Sequence, residues 1–391
     1  MTTDTMNPTT AMKRMTRMTR MNQRPRAIRA LAIAATIALA GACGGDKEPP
    51  PKAIKAAKPK KGAADAAPSG SQLLTAAKKF FSPLPAVAES AANPITPEKV
   101  TLGRILYYDP RLSKNHDVSC NSCHKLDNFG VDNEGTSPGH RAQRGERNSP
   151  TVYNAAAHFA QFWDGRAATV EEQAGMPVLN PVEMAMGSEA QVVDMIKTIP
   201  GYEPLFKSAF PSDGDPITYR NIGMAIGAFE RGLMTPGPFD EFLKGNITAL
   251  GPDALKGLQL FIDIGCTNCH VGPTLGGTMF QKLGSAKKYE TKDEGRFKIT
   301  GNPEDKFVFK VPSLRNISHT APYLHDGSAE NLDAVLSVMA EYQTAKGHLD
   351  DDERTAIKAF LSALDGTIDP AYIAKPDLPE NGPKTPAPDP D

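Results

Sequence analysis

Residues 118–130 read VSCNSCHKLDNFG, and residues 265–270 read GCTNCH. Each stretch holds two cysteines three apart with a histidine directly after the second: Cys120, Cys123 and His124, then Cys266, Cys269 and His270. Two thiols at this spacing can each form a thioether with a haem vinyl group, and the adjoining histidine then ligates the iron. A zinc site would need a second nearby pair of ligands, whereas these pairs lie far apart and each carries its own histidine. The chain has 5 cysteines, so four haem cysteines leave only Cys43. Two covalently bound c-type haems are therefore expected. One ligand per iron leaves the sixth position open, and six further histidines cannot be sorted by spacing alone.

The segments before these motifs repeat. Gly103-Arg-Ile-Leu-Tyr-Tyr-Asp109 matches Gly257-Leu-Gln-Leu-Phe-Ile-Asp263, which predicts two related domains in tandem. The rest reads as helix. Thr96-Pro97 has the capping residue and first-turn proline of a helix start. A helix from about Thr218 places Ile222, Ala225, Ile226, Phe229 and Leu233 on one face. Ser188 and Gln191 have capping-box spacing. DDDERTAIKAFLSAL, residues 350–364, opens with acids and carries a stripe of Ile357, Phe360, Leu361 and Leu364. Alternating strand patterns are few, so the fold class is all-α.

The 391 residues have a formal charge of −1, yet seven of the 44 basic side chains lie in the first 42 residues beside a lone Asp4. The remaining body is acidic, which argues against nucleic acid and favours a basic partner. Those arginines precede the uncharged run ALAIAATIALAGA, residues 30–42. A basic start, a short apolar run and small residues before a break describe a signal peptide over residues 1–42, with export to the periplasm. Thirteen apolar residues are few for a membrane span. LAGAC resembles a bacterial lipobox, so Cys43 is a candidate for lipidation and membrane anchoring, although Ala40 stands where leucine is usual. Residues 43–74 then form a flexible tether rich in Pro, Ala and Lys, and residues 369–391 a disordered Pro-rich tail.

The segment NSPTVYNAAAHFAQFWDGRAATVEEQAGMPVLNPVEM, residues 148–184, together with TAPYLHDG, residues 320–327, resembles the bacterial di-haem cytochrome c peroxidases. The likeness extends over about residues 75–365. It implies two tandem cytochrome-c-like haem domains with long loops, placed here at residues 75–240 (peroxidatic) and 241–368 (electron transfer). The implied reaction is reduction of hydrogen peroxide to water with electrons from a small cytochrome c or cupredoxin, by a homodimer. By motif match, His140 is the displaceable sixth ligand of the first haem iron and Met339 the sixth ligand of the second. A tyrosine at the position of Met339 would mark the branch that matures methylamine dehydrogenase. Glu183 matches the acid–base residue, Gln173 a distal-pocket neighbour, and Trp163 the aromatic between the haems. Asn148, Thr320 and Pro322 match calcium ligands. The competing readings are a di-haem electron-transfer protein without peroxidase activity and a related oxidase acting on another substrate.

Overall fold

The structure is a computed structural model, and it describes residues 69–391. The signal peptide, Cys43 and most of the tether lie outside the described residues. In chain order the helices are α1 (Gly70–Ala77), α2 (Pro97–Tyr108), α3 (Cys120–Cys123), α4 (Val170–Leu179), α5 (Glu189–Lys197), α6 (Tyr202–Ala209) and α7 (Tyr219–Glu230). There follow α8 (Pro238–Lys244), α9 (Pro252–Asp263), α10 (Phe297–Thr300), α11 (Leu332–Gln343), α12 (Asp351–Ser362) and α13 (Pro370–Ile373). Two short strands, β1 (Phe280–Lys282) and β2 (Val308–Lys310), pair antiparallel with Phe280 opposite Lys310. None of the described helices is long and apolar enough to cross a membrane.

The helix starts follow the capping chemistry of the sequence. Thr96, Ser188 and Thr218 each accept from a backbone N–H in the first turn of α2, α5 and α7. The capping box expected at Ser188 closes differently, because Gln191 Oε1 accepts from the N–H of Gly187.

Two apolar cores form. The first gathers α2 and α4–α7 around Leu106, Tyr107, Val178, Ile196, Phe206, Ile226 and Phe229. The second gathers α1, α8, α9 and α12 around Leu73, Phe81, Phe242, Leu258, Ile357 and Phe360. The sequence repeat marks the same helix crossing in each. A Cβ on Gly103 would meet the Ala225 carbonyl at 1.9 Å, and one on Gly257 the Ala356 carbonyl at 1.9 Å. Beside each glycine an aromatic edge closes the crossing, Tyr107 against Phe229 at 5.4 Å and Phe261 against Phe360 at 5.3 Å. Glycine is required because the two backbones touch there.

Two expected boundaries differ. Residues 70–74, placed with the tether, fold into α1 under a Ser69 cap, and Leu73, Ala77 and Phe81 bury in the second core, not the first. The tail placed as disordered lies along the first core. Tyr372 stacks on Phe229 at 5.3 Å and donates to its carbonyl, while Tyr108, Arg104 and Arg111 donate to the carbonyls of Ile373, Ala371 and Pro379. Prolines remove backbone donors but leave acceptors, and side chains of α2 and the turn after it satisfy these. Composition read the prolines correctly and missed the anchors Tyr372, Ile373 and Leu378.

Candidate functional site

The first motif forms a single turn. In α3 the Ser122 hydroxyl accepts from the Ser119 N–H at 3.0 Å, and the His124 N–H donates to the Cys120 carbonyl at 3.0 Å. Tyr107 of α2 donates its hydroxyl to the His124 carbonyl at 2.8 Å, tying the histidine to the helix crossing. Nδ1 of His124 is buried without a hydrogen-bond partner. Burial pushes the Cys120 thiol up to about 12 and the Cys123 thiol to about 11, so neither is a reactive thiolate.

His140 reaches this region from a tight loop. It is 5% exposed, and its Nδ1 also lacks a partner. Its N–H donates to the Glu183 carbonyl at 2.7 Å, and a Cβ on Gly139 would sit 2.2 Å from the Val182 carbonyl. Arg141 and Ala142, directly after it, hold φ of 58° and 55°. Non-glycine residues in this left-handed region cost of order 1–3 kcal/mol each. The loop is thus strained and hung by its backbone on the Val182–Glu183 segment.

Glu183 is raised above the usual carboxylate range, by burial first, with Arg166 and a hydrogen bond from Asn180 pulling the other way. Its charge helps to raise the Cys123 thiol, after burial and Asp132, and its carbonyl carries the His140 loop. Gln173 lies on α4, and the carbonyl of Pro177 one turn later accepts from Met184 N–H.

The second motif follows α9 as a 3-10 turn. The His270 N–H donates to the Cys266 carbonyl at 3.0 Å, and its Nδ1 pairs with the Leu275 carbonyl at 2.9 Å. That pairing leaves Nε2 as the nitrogen for a metal, the usual way a protein orients a ligating imidazole. His270, Cys266, Cys269, Met339 and Trp163 all line one cavity of about 370 Å³. Leu332, Val335, Leu336 and Met339 of α11 line this cavity, and Leu332 and Leu336 also pack against the second core, so the stripe read from sequence serves both.

Trp163 is fixed by its indole N–H, which donates to the Asn148 carbonyl at 2.9 Å, and by its carbonyl, which accepts from Lys310 N–H at 2.7 Å. Asn148, Thr320 and Pro322 line the same cavity. The Asn148 Nδ2 group donates to the Glu134 and Gly135 carbonyls, and no donor to its Oδ1 is found among the described residues.

Residue types at both motifs fit covalent haem. Each supplies two neutral thiols and a buried imidazole with a nitrogen to spare, and no cluster of three His, Cys, Asp or Glu suited to a metal ion forms among the described residues. Sequence reading missed a buried pair in the second cavity, Lys310 and His158, with Nζ and Nδ1 3.2 Å apart. The available signal was a lysine closing the apolar strand segment FVFK.

Comparison with known proteins gives a consistent result. A family model described as di-haem cytochrome c peroxidase matches residues 97–248. The cytochrome c551 peroxidase of Nitrosomonas europaea is 44% identical over 76% of this chain and 88% of its own. That of Pseudomonas aeruginosa is 42% identical over 80% of this chain and 91% of its own. The crystal structure of a MauG-like protein associated with microbial copper homeostasis superposes with a TM-score of 0.68 at 29% identity, covering 75% of this chain and 97% of that one. With both motifs, the helix crossings and this extent of identity in agreement, the chain belongs to the di-haem cytochrome c peroxidase family.

Proposed function

We propose that this protein reduces hydrogen peroxide to water, taking two electrons from a small cytochrome c or cupredoxin and two protons. Membership of the family implies two c-type haems. Cys120 and Cys123 would hold one with His124, and Cys266 and Cys269 the other with His270. When bound, they supply redox-active iron and electron storage.

The observation that carries the reading is Glu183. A buried carboxyl whose proton affinity is raised by desolvation, and whose charge acts on Cys123 of the first motif, can take a proton from one peroxide oxygen and return it to the other. Splitting the O–O bond into two waters needs that relocation. An electron carrier would have no use for such a group. His140 is read as the removable sixth ligand at the first motif, supported by its strained loop, and Gln173 as a polar neighbour orienting peroxide. Met339 is read as the sixth ligand of the second iron, where a thioether favours the reduced state. Trp163, pinned between Asn148 and Lys310, is the candidate aromatic path between the two sites.

The two cores, each built on the same glycine crossing and each followed by a Cys-x-x-Cys-His turn, support two tandem cytochrome-c-like domains. Asn148 Oδ1 with the carbonyls of Thr320 and Pro322 would form an oxygen-rich calcium site, since carbonyls suit this hard cation. The basic leader supports a periplasmic protein and LAGAC supports anchoring through a lipidated Cys43, while the homodimer is what the family likeness implies. The test is peroxide turnover by the holoprotein, with and without prior one-electron reduction and with and without calcium. Two haems per chain and turnover that rises after reduction are expected; an inert holoprotein with both haems present sinks the enzyme reading.

A further inference from the structure

The second cavity contains a charge that the proposed reaction does not use. Lys310 ends β2, is 6% exposed, and lines the cavity together with His270, Cys266 and Met339. Among the described residues its ammonium has one hydrogen-bond partner, His158 Nδ1 at 3.2 Å, and no carboxylate within ion-pair distance. The nearest acidic influence is Asp164, which is already engaged by Arg147 and Arg166. Burial pulls the Lys310 ammonium down to about 8, and burial followed by the Lys310 charge holds His158 well below its ordinary value. A buried, nearly unpaired cation is costly unless something neutralises it.

The imidazole completes the pattern. If Lys310 donates to Nδ1, the proton of neutral His158 sits on Nε2, which is buried and has no partner. Two residues that line the cavity thus keep N–H groups without acceptors, the Lys310 ammonium and the buried His158 imidazole. The backbone was shaped to allow this. Gly277 holds φ +68°, and a Cβ there would lie 2.2 Å from the His158 ring, so only glycine admits the imidazole. The register of β1 and β2 sets Lys310 opposite Phe280, and its own N–H is bound to the Trp163 carbonyl. Donors without acceptors in an apolar-walled cavity call for an anionic guest.

We propose that Lys310 and His158 are the seat for the propionate carboxylates of the haem attached at Cys266 and Cys269. The inference rests on the haem reading above. It makes Lys310 a positioning residue that neutralises the propionates and joins that edge of the ring to the Trp163 backbone. A paired propionate exerts less negative field on the iron than a free one, so the pair raises the tendency of that haem to accept an electron.

The test uses the holoprotein and the variants Lys310→Met, Lys310→Arg and His158→Gln. The readouts are the reduction midpoint of the second haem by spectroelectrochemistry and its propionate bending band by resonance Raman. Lys310→Met is expected to lower the equilibrium constant for reduction about tenfold, which is about 59 mV for one electron, and to move the band. Lys310→Arg should restore most of both. His158→Gln should move the band with a smaller change in potential. Unchanged potential and band in Lys310→Met with two haems per chain would overturn the proposal. If Lys310→Met yields no folded holoprotein, an unchanged band in His158→Gln overturns it equally. A wild-type protein with no haem at Cys266 and Cys269 would instead be the failure of the haem reading, seen directly in the haem count.

Discussion

The turn at Cys120–His124 and the turn at Cys266–His270 hang from the same helix crossing, yet their surroundings are opposite. At the first, Tyr107 reaches the histidine carbonyl with a hydroxyl; the matching Phe261 has none and meets His270 only with its ring, at 6.3 Å. The candidate partner of the first iron comes from a loop with two consecutive strained residues, and that of the second from the middle of the 12-residue helix α11. The first core buries an acid, Glu230, pushed up to about 8; the second cavity buries a cation, Lys310, pulled down to about 8. One type of crossing thus carries two different surroundings because the inserted segments differ. A strained loop can rearrange at small cost, whereas a residue in mid-helix is held by the helix's own hydrogen bonds.

The sharpest way to break this contrast is at the carboxyl. Glu183→Gln keeps size and polarity but cannot exchange a proton near neutral pH. Peroxide turnover should fall by about 10²–10⁴-fold, measured under steady state with artificial donor. Normal turnover would mean that the first site owes nothing to Glu183.

Replacing the helix-borne thioether tests the other side. Met339→His should lower the potential of the second haem, by on the order of 0.1 V within the roughly 0.8 V that axial ligands span. A redox titration that does not move would identify another residue as the ligand.

The crossings should respond alike. Gly103→Ala and Gly257→Ala each force a Cβ against a carbonyl at 1.9 Å. Each should cost about 1–3 kcal/mol, read from chemical denaturation. A large loss at one site and none at the other would show that the two crossings are not equivalent.

The smallest expected effect concerns pH. Glu230 is 5% exposed, and burial, then Glu171, raises its pKa to about 8, with Arg231 opposing. Between its unfolded value of about 4.5 and about 8 the folded state holds the extra proton, so stability falls as pH rises through that window. Glu230→Gln should flatten the profile and gain stability at pH 8 relative to pH 5. About 1.4 kcal/mol per unit would give roughly 4 kcal/mol over that span, and water entry and relaxation offset most of it, leaving about 1–2 kcal/mol. Thermal denaturation across that range measures it, and an unchanged slope would place the proton elsewhere.

Much of the site could be read in the chain because the relevant chemistry is local. Cys-x-x-Cys-His needs only one turn to place two thiols and an imidazole, and α3 is that turn. Thr96, Thr218 and Asp350 announce helix starts because a cap acts within three residues. The Pro-rich tail could not be read this way. Its order comes from Tyr372 on Phe229 and from Arg104, Tyr108 and Arg111, all more than a hundred residues away.

Spacing along the chain was enough to specify the two haem-attachment turns, the repeated glycine helix and the helical class, since each is settled within one or two turns. Long-range packing alone assigns α1 to the second core and the tail to the first, because no local signal says which surface an apolar residue will find. The same packing hangs His140 on the Glu183 backbone and brings Lys310 to His158 across 152 positions. A buried charge acquires its meaning from the groups that surround it, and those are chosen by packing.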